Sequence, residues 1–208
     1  MPLRNRVGPD GDIVATPERG TAMGNRCRLH DRDRRVVRPW ALKAWLACRL
    51  DFNGRHRRVM APDSYTELFF LDEATALAAG HRPCWECRRA DFHAFAAAWA
   101  RGHDLPAPPR AGAMDALLHA QRVDPATRRP RRWTGEFADL PDGCVVDWAG
   151  GPHLLWRSVL LPWSFAGYGA PLARPAAGPV AVLTPTATVR AFAAGYRPGV
   201  HPSASVTS

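Results

Sequence analysis

The sequence predicts an α+β chain: an N-terminal part of short strands and helices, a helical bridge, and a β-rich C-terminal part. Three observations predict it. An aromatic-rich run, Tyr65-Thr66-Glu67-Leu68-Phe69-Phe70-Leu71, leads into a capped helix signal from Asp72 to Gly80. Helical spacing follows twice more, around Phe92, Phe95 and Trp99 and around Met114, Leu117 and Leu118. From Leu140 onward, β-branched and aromatic runs separated by Gly and Pro turns take over.

Residues 1–22 read as a disordered tail, because Pro, Gly and charge dominate and no apolar period is visible. Structure is expected from Met23. Pro39, Trp40, Ala44 and Trp45 suggest a short helix or turn running into Cys48, and Asn53-Gly54 a turn. Asp72 can cap a helix through Ala79, with Gly80 closing it in the left-handed conformation. Asp91 can cap the next helix and Gly102 stop it. After the Pro-rich stretch 105–110, residues 112–122 form a third helix, and 124–136 is a basic loop. Cys144–Trp148 and His153–Trp156 read as strands around a Gly150-Gly151 turn. Val159–Trp163 and Pro179–Leu183 are further strands. Thr184 and Pro185 open a last helix that Gly195 closes, and the chain after His201 reads as disordered.

Composition bounds the function. A hydrophobic share of 46% and a charged share of 23% are those of an ordinary globular chain. No apolar run approaches the roughly 18–20 residues that span a bilayer, and residues 1–21 lack the apolar stretch of a secretory signal. A cytoplasmic protein with no membrane partner is therefore expected. The net charge of +9 suits a polyanionic partner, since cation–phosphate contacts release condensed counterions. All the basic residues but Lys43 are Arg, which with the abundant Ala, Pro and Gly suggests a GC-rich genome and weakens that argument. Two local clusters remain: Arg55-His56-Arg57-Arg58 and Arg128-Arg129-Pro130-Arg131-Arg132.

The five cysteines are Cys27, Cys48, Cys84, Cys87 and Cys144. An odd count in a reducing compartment argues against a disulfide framework and for metal binding or chemistry. Cys84-Trp85-Glu86-Cys87 supplies two thiolates from one tight turn, the spacing that recurs in tetrahedral zinc sites. The following helix N-terminus and the flanking Arg82, Arg88 and Arg89 favour the thiolate form. The N-terminal part is thus expected to be zinc-centred. A redox pair is the competing reading, but no thioredoxin-like βαβ pattern surrounds the motif.

The run Leu71-Asp72-Glu73-Ala74, continuing as Ala78-Ala79-Gly80-His81-Arg82-Pro83-Cys84-Trp85-Glu86-Cys87, resembles the second half of the Ada-type metal-binding domain. The resemblance covers residues 45–90 and implies an Ada-like zinc-binding domain over 23–103; the α+β domain of unknown function expected over 111–200 rests on the element pattern alone. It implies that Cys84 and Cys87 hold zinc and that Cys48 comes from the upstream pair. Here the sequence departs from the family: Phe52 and Ala44, four residues either side of Cys48, cannot ligate zinc. The fourth ligand is expected from His30, with Cys27 and then His56 as alternatives. The resemblance also implies contact with DNA and, at the position of Cys48, a zinc-activated nucleophile that accepts a methyl group.

The expected function is therefore a zinc-binding protein that interacts with nucleic acid, principally DNA, with zinc structural. Arg55, Arg57, Arg58 and Arg88 are the candidate phosphate contacts, and Trp85 the candidate base-stacking residue. One alternative is a DNA repair or modification enzyme with Cys48 as nucleophile. Another is a protein-interaction or regulatory module. Asp115, His119 and Arg122 on the third helix form a candidate acid–base face. Cys144 reads as a buried small apolar residue.

Overall fold

In a computed structural model, residues 1–54, 58–128 and 130–205 are described. They form two sheets, as the α+β class requires. The first contains β1 (Arg4–Val7), β2 (Ile13–Ala15), β3 (Ala22–Asn25), β4 (Leu46–Cys48), β5 (Leu68–Phe70) and β6 (Arg82–Pro83), in the order β2-β1-β5-β3-β4-β6. Two of its pairings, β1 with β5 and β4 with β6, are parallel.

Residues 1–22 are therefore not a disordered tail. In β1, Asn5 and Val7 are buried while Arg4 and Arg6 point outward. A strand of alternating polarity gains its stability from a neighbouring strand rather than from its own composition. That neighbour is β5, far along the chain: Arg6 pairs with Phe69, and its guanidinium carbon lies 4.8 Å over the Phe69 ring.

The second sheet contains β7 (Trp133–Glu136), β8 (Val145–Trp148), β9 (Gly151–Trp156), β10 (Val159–Ser164), β11 (Gly167–Tyr168) and β13 (Pro179–Val182), in the order β11-β10-β9-β8-β13-β7. A further short strand, β12 (Leu172–Ala173), pairs with β10. All pairings here are antiparallel. Two hairpins have two-residue loops whose central residues both take positive φ: Ala149-Gly150 and Arg157-Ser158. That conformation matches the right-handed twist of the flanking strands.

The helices are α1 (Glu73–Ala78), α2 (Arg89–Gly102), α3 (Ala111–Arg122) and α4 (Thr186–Ala193). Every residue of α1 is buried, because its faces are shared among three apolar clusters. Ala76 faces the first sheet with Leu68 and Phe70. Ala74 and Ala78 meet Val145, Leu154 and Leu161 of the second sheet. Leu77 joins Phe95, Trp99, Leu118 and Phe192 from the other helices. Small side chains on α1 permit this close approach from three directions. The last cluster also unites α2 with β8, β9 and α4, so the core runs across the boundary expected near residue 103.

Polar groups fix the N-terminal end of α1. Asp72 caps it by accepting from Thr75 N at 2.8 Å, and also accepts from the Tyr168 hydroxyl at 2.8 Å and His201 N at 2.9 Å. Glu73 accepts from the Tyr196 hydroxyl at 2.6 Å and Gly199 N at 2.8 Å. These bonds tie the C-terminal segment to α1. Beyond His201 the chain forms a short 3-10 turn, Pro202–Ala204, rather than the expected disorder. Among the described residues, no helix is long and apolar enough to cross a membrane.

Candidate metal centre

The C-terminus of α1 delivers the Cys-x-x-Cys turn. Gly80, at φ +83°, donates to Leu77 O, and His81 N donates to Ala76 O. This paired arrangement reverses the chain after a helix and requires the left-handed residue that glycine supplies. The chain then enters β6, which runs parallel to β4 with Leu46 opposite Arg82 and Ala47 opposite Pro83. Cys84 N donates to Ala47 O at 2.9 Å, extending the pairing by one residue. The register brings Cys48, at the end of β4, beside Cys84.

The ligand atoms of Cys48, Cys84 and Cys87 all lie within 4.8 Å of one another. Cys48 and Cys84 are buried and Cys87 is half-buried. Thiolates around zinc at about 2.3 Å would stand roughly 3.8 Å apart in a tetrahedron, so small movements suffice to bind an ion. Backbone N–H groups of Glu86 and Cys87 bond to the Cys84 sulfur, and that of Arg49 to the Cys87 sulfur. Such donors stabilise negative charge on sulfur. The cluster is therefore a site that could bind a metal ion.

Electrostatics within the triangle are uneven. Bonds from the Cys48 and Cys87 side chains, with the backbone donors, pull the Cys84 thiol down to about 2. Cys48 is pushed up, first because it donates to Cys84, then by its bond to Cys87 and by burial. For Cys87 the Cys48 bond pulls down, but the Cys84 sulfur and burial together outweigh it, and the thiol is raised. Three sulfurs this close compete for the same negative charge. A divalent ion would take the place of the two shared protons.

His30 does not join this cluster. It is buried elsewhere, with Nδ1 2.6 Å from Thr66 Oγ1 and Nε2 3.2 Å from Ala61 O. Nε2 must donate to that carbonyl, so Nδ1 accepts from the hydroxyl and both nitrogens are engaged. Cys27 is half-buried, takes φ +73°, and is also not one of the clustered residues. Arg55, His56 and Arg57 lie outside the described residues.

Of the remaining site residues, Arg58 is exposed, and Trp85 is 50% exposed beside the centre with the Arg89 guanidinium carbon 4.8 Å over its ring. Arg88 is not available to a ligand. It is largely buried, paired with Glu73 at 2.9 Å and Asp91 at 2.9 Å. Asp91 thus holds Arg88 rather than capping α2, which begins two residues before it with no side-chain cap. The acid–base face on α3 forms only in part, with His119 Nδ1 3.5 Å from Arg122 Nη2. Asp115 makes a bidentate pair with Arg82, at 2.8 and 2.9 Å. His119 instead packs edge-on against Trp40 at 4.5 Å. Cys144 is fully buried, and burial pushes its thiol up.

Sequence reasoning missed the backbone donors to sulfur, although the Cys-x-x-Cys spacing signals them. No protein-family profile matches the chain, and no curated protein or solved structure does.

Proposed function

We propose that this is a zinc protein that interacts with nucleic acid, principally DNA, and that zinc has a structural role. The observation that carries the reading is the triangle of Cys48, Cys84 and Cys87 sulfurs, set by the parallel β4–β6 register. An all-thiolate set suits zinc, and its backbone N–H donors support bound thiolates. In that role the ion joins the edge of the first sheet to the turn that starts α2. The partial resemblance to Ada-type domains over residues 45–90 points the same way.

The same geometry favours a structural ion over a nucleophile at Cys48. Cys48 is only 8% exposed. A methyl-accepting sulfur needs access to the phosphotriester. Nucleic-acid contact rests on the net charge of +9, on exposed Arg58, and on Trp85 with Arg89 stacked against it. Aromatic faces beside arginines bind unpaired bases with little sequence preference.

The test combines metal analysis with binding. Untagged protein should contain zinc, kept in His30→Ala, and loss of zinc in His56→Ala would assign the fourth ligand to His56. Fluorescence anisotropy on single-stranded and duplex DNA should give an affinity that falls steeply with salt. An affinity indifferent to salt and to Trp85→Ala would refute the nucleic-acid reading.

A further inference from the structure

A second site lies away from the cysteines. A pocket of about 250 Å³ opens between the β1–β2 turn, the segment around Pro39 to Trp45, and the connection after α3. Arg26 and Arg122 line it, and each is almost fully buried, at 1% and 4% exposure. Their guanidinium carbons each lie 3.8 Å from the Trp45 ring centroid, so the two charges stand at most twice that distance apart. Among the described residues neither guanidinium has a carboxylate in ion-pair contact. Asp124, the acid nearest in the chain to Arg122, faces Arg131 at 3.6 Å, and Asp115 on the same helix is held by Arg82.

Their hydrogen bonding is incomplete. Arg26 Nε donates to His81 Nε2 at 3.0 Å, and Nη1 to Gly11 O at 3.0 Å and Pro39 O at 3.4 Å. Arg122 Nη1 and Nη2 donate to Gly80 O and Lys43 O. That leaves Arg26 Nη2, Arg122 Nε and the buried Trp40 Nε1 with no partner, all on residues that line the pocket. A Cβ added at Gly11 would stand 3.7 Å from Arg26 Nη2, so the glycine keeps space open in front of that donor. Burial pulls Arg26 down to about 9 and Arg122 well below its ordinary value. Two buried like charges and three idle donors are costly unless an anion meets them.

The occupant's chemistry follows from the donors. Asp10 and Asp12 also line the pocket, but seven arginines outnumber them, so the lining is net positive and suits a dianion, and arginine binds phosphate oxygens in charge-assisted pairs. Trp40 separates this pocket from an adjoining one of about 540 Å³ that also contains His119, Arg128 and Arg131. The Arg128 guanidinium carbon lies 4.6 Å over the Trp40 ring. An aromatic platform next to a phosphate clamp suits a nucleoside.

We propose that this pocket binds the phosphomonoester of a nucleotide, free or at a strand end, through Arg26, Arg122 and Trp40, with the nucleoside placed toward the adjoining pocket. The proposal deepens the nucleic-acid reading only in the strand-end case; the pocket itself stands independently of it.

The experiment is calorimetric titration of the full-length chain in chloride buffer. The probes are inorganic phosphate, adenosine 5′-monophosphate, adenosine, and a short single strand with and without a 5′-phosphate. The nucleotide should bind about tenfold or more tighter than adenosine, because the phosphate supplies the charged hydrogen bonds. A strand preferred only when phosphorylated assigns the site to strand ends; tighter binding of the free nucleotide assigns it to nucleotides. Either supports the proposal, and the second does so even if salt-dependent DNA binding fails. Arg122→Met should abolish nucleotide binding. Trp40→Phe, a milder change that removes one donor and keeps a ring, should weaken it several-fold, and decides the matter if Arg122→Met does not fold. Equal binding of adenosine and its monophosphate, no binding of any phosphorylated probe, or unchanged nucleotide affinity in Trp40→Phe or in a folded Arg122→Met would overturn the proposal.

Discussion

Replacing Asp72 with alanine should destabilise the fold severely, because one carboxylate serves three segments. It accepts from Thr75 N at 2.8 Å, Thr75 Oγ1 at 2.7 Å, Tyr168 Oη at 2.8 Å and His201 N at 2.9 Å. Losing the helix cap costs about 1 kcal/mol. The buried Tyr168 hydroxyl and the His201 N–H are then left without an acceptor, at about 1–3 kcal/mol each. Allowing for non-additivity, about 4 kcal/mol is expected, a large share of the roughly 5–15 kcal/mol that holds a domain folded. Asp72→Asn keeps one acceptor oxygen and should lose about half as much. The pH dependence has a definite sign. Burial raises Asp72 above the ordinary carboxyl range, outweighing the bonds that lower it. Its folded value therefore exceeds its unfolded one. Its contribution is fully present below the unfolded value and lost as pH rises through the folded value. Wild type should thus gain on Asp72→Asn as pH falls through the folded value of Asp72 toward its unfolded one. Urea unfolding followed by tryptophan fluorescence and circular dichroism measures all three proteins. A loss below about 1 kcal/mol for Asp72→Ala, or a wild-type advantage that shrinks on acidification, would refute the reasoning.

Metal affinity should depend on pH in the opposite direction. With Cys84 lowered and Cys48 and Cys87 raised, binding one divalent ion to three thiolates releases about two protons, so competition titrations should show affinity rising with pH. Either single change at the buried Arg82–Asp115 pair, Arg82→Met or Asp115→Leu, should cost about 3–5 kcal/mol in denaturant unfolding, and the double change should recover much of it. Trp85→Ala should alter stability by no more than about 0.5 kcal/mol, since the side chain is half exposed, while weakening single-strand binding by about 1–3 kcal/mol.

What was legible in the sequence was local. The Asp72 cap, the Gly80 reversal and the Cys-x-x-Cys turn each depend on residues within a few positions, and all three form. Cys48 was placed through the family resemblance, and the β4–β6 register supplies its physical reason. What was not legible depends on distant partners. Strand β1 carries two arginines in four residues and is a strand only because β5 and β2 flank it. His30 is expected as a ligand because a His-containing first pair resembles some Ada-type members, but Thr66 and Ala61 satisfy both its nitrogens. Arg88 read as a surface cation, and a glutamate from α1 buries it. Nothing in the spacing of Arg26, Trp45 and Arg122 announces that two cations share one indole.

The central claim is the cysteine centre, and elemental analysis of the untagged protein, purified without chelator, tests it most directly. About one zinc per chain is predicted, lost in Cys84→Ser and Cys48→Ser and kept in His30→Ala. Protein that carries no zinc, or zinc content that survives both cysteine substitutions, would contradict the account.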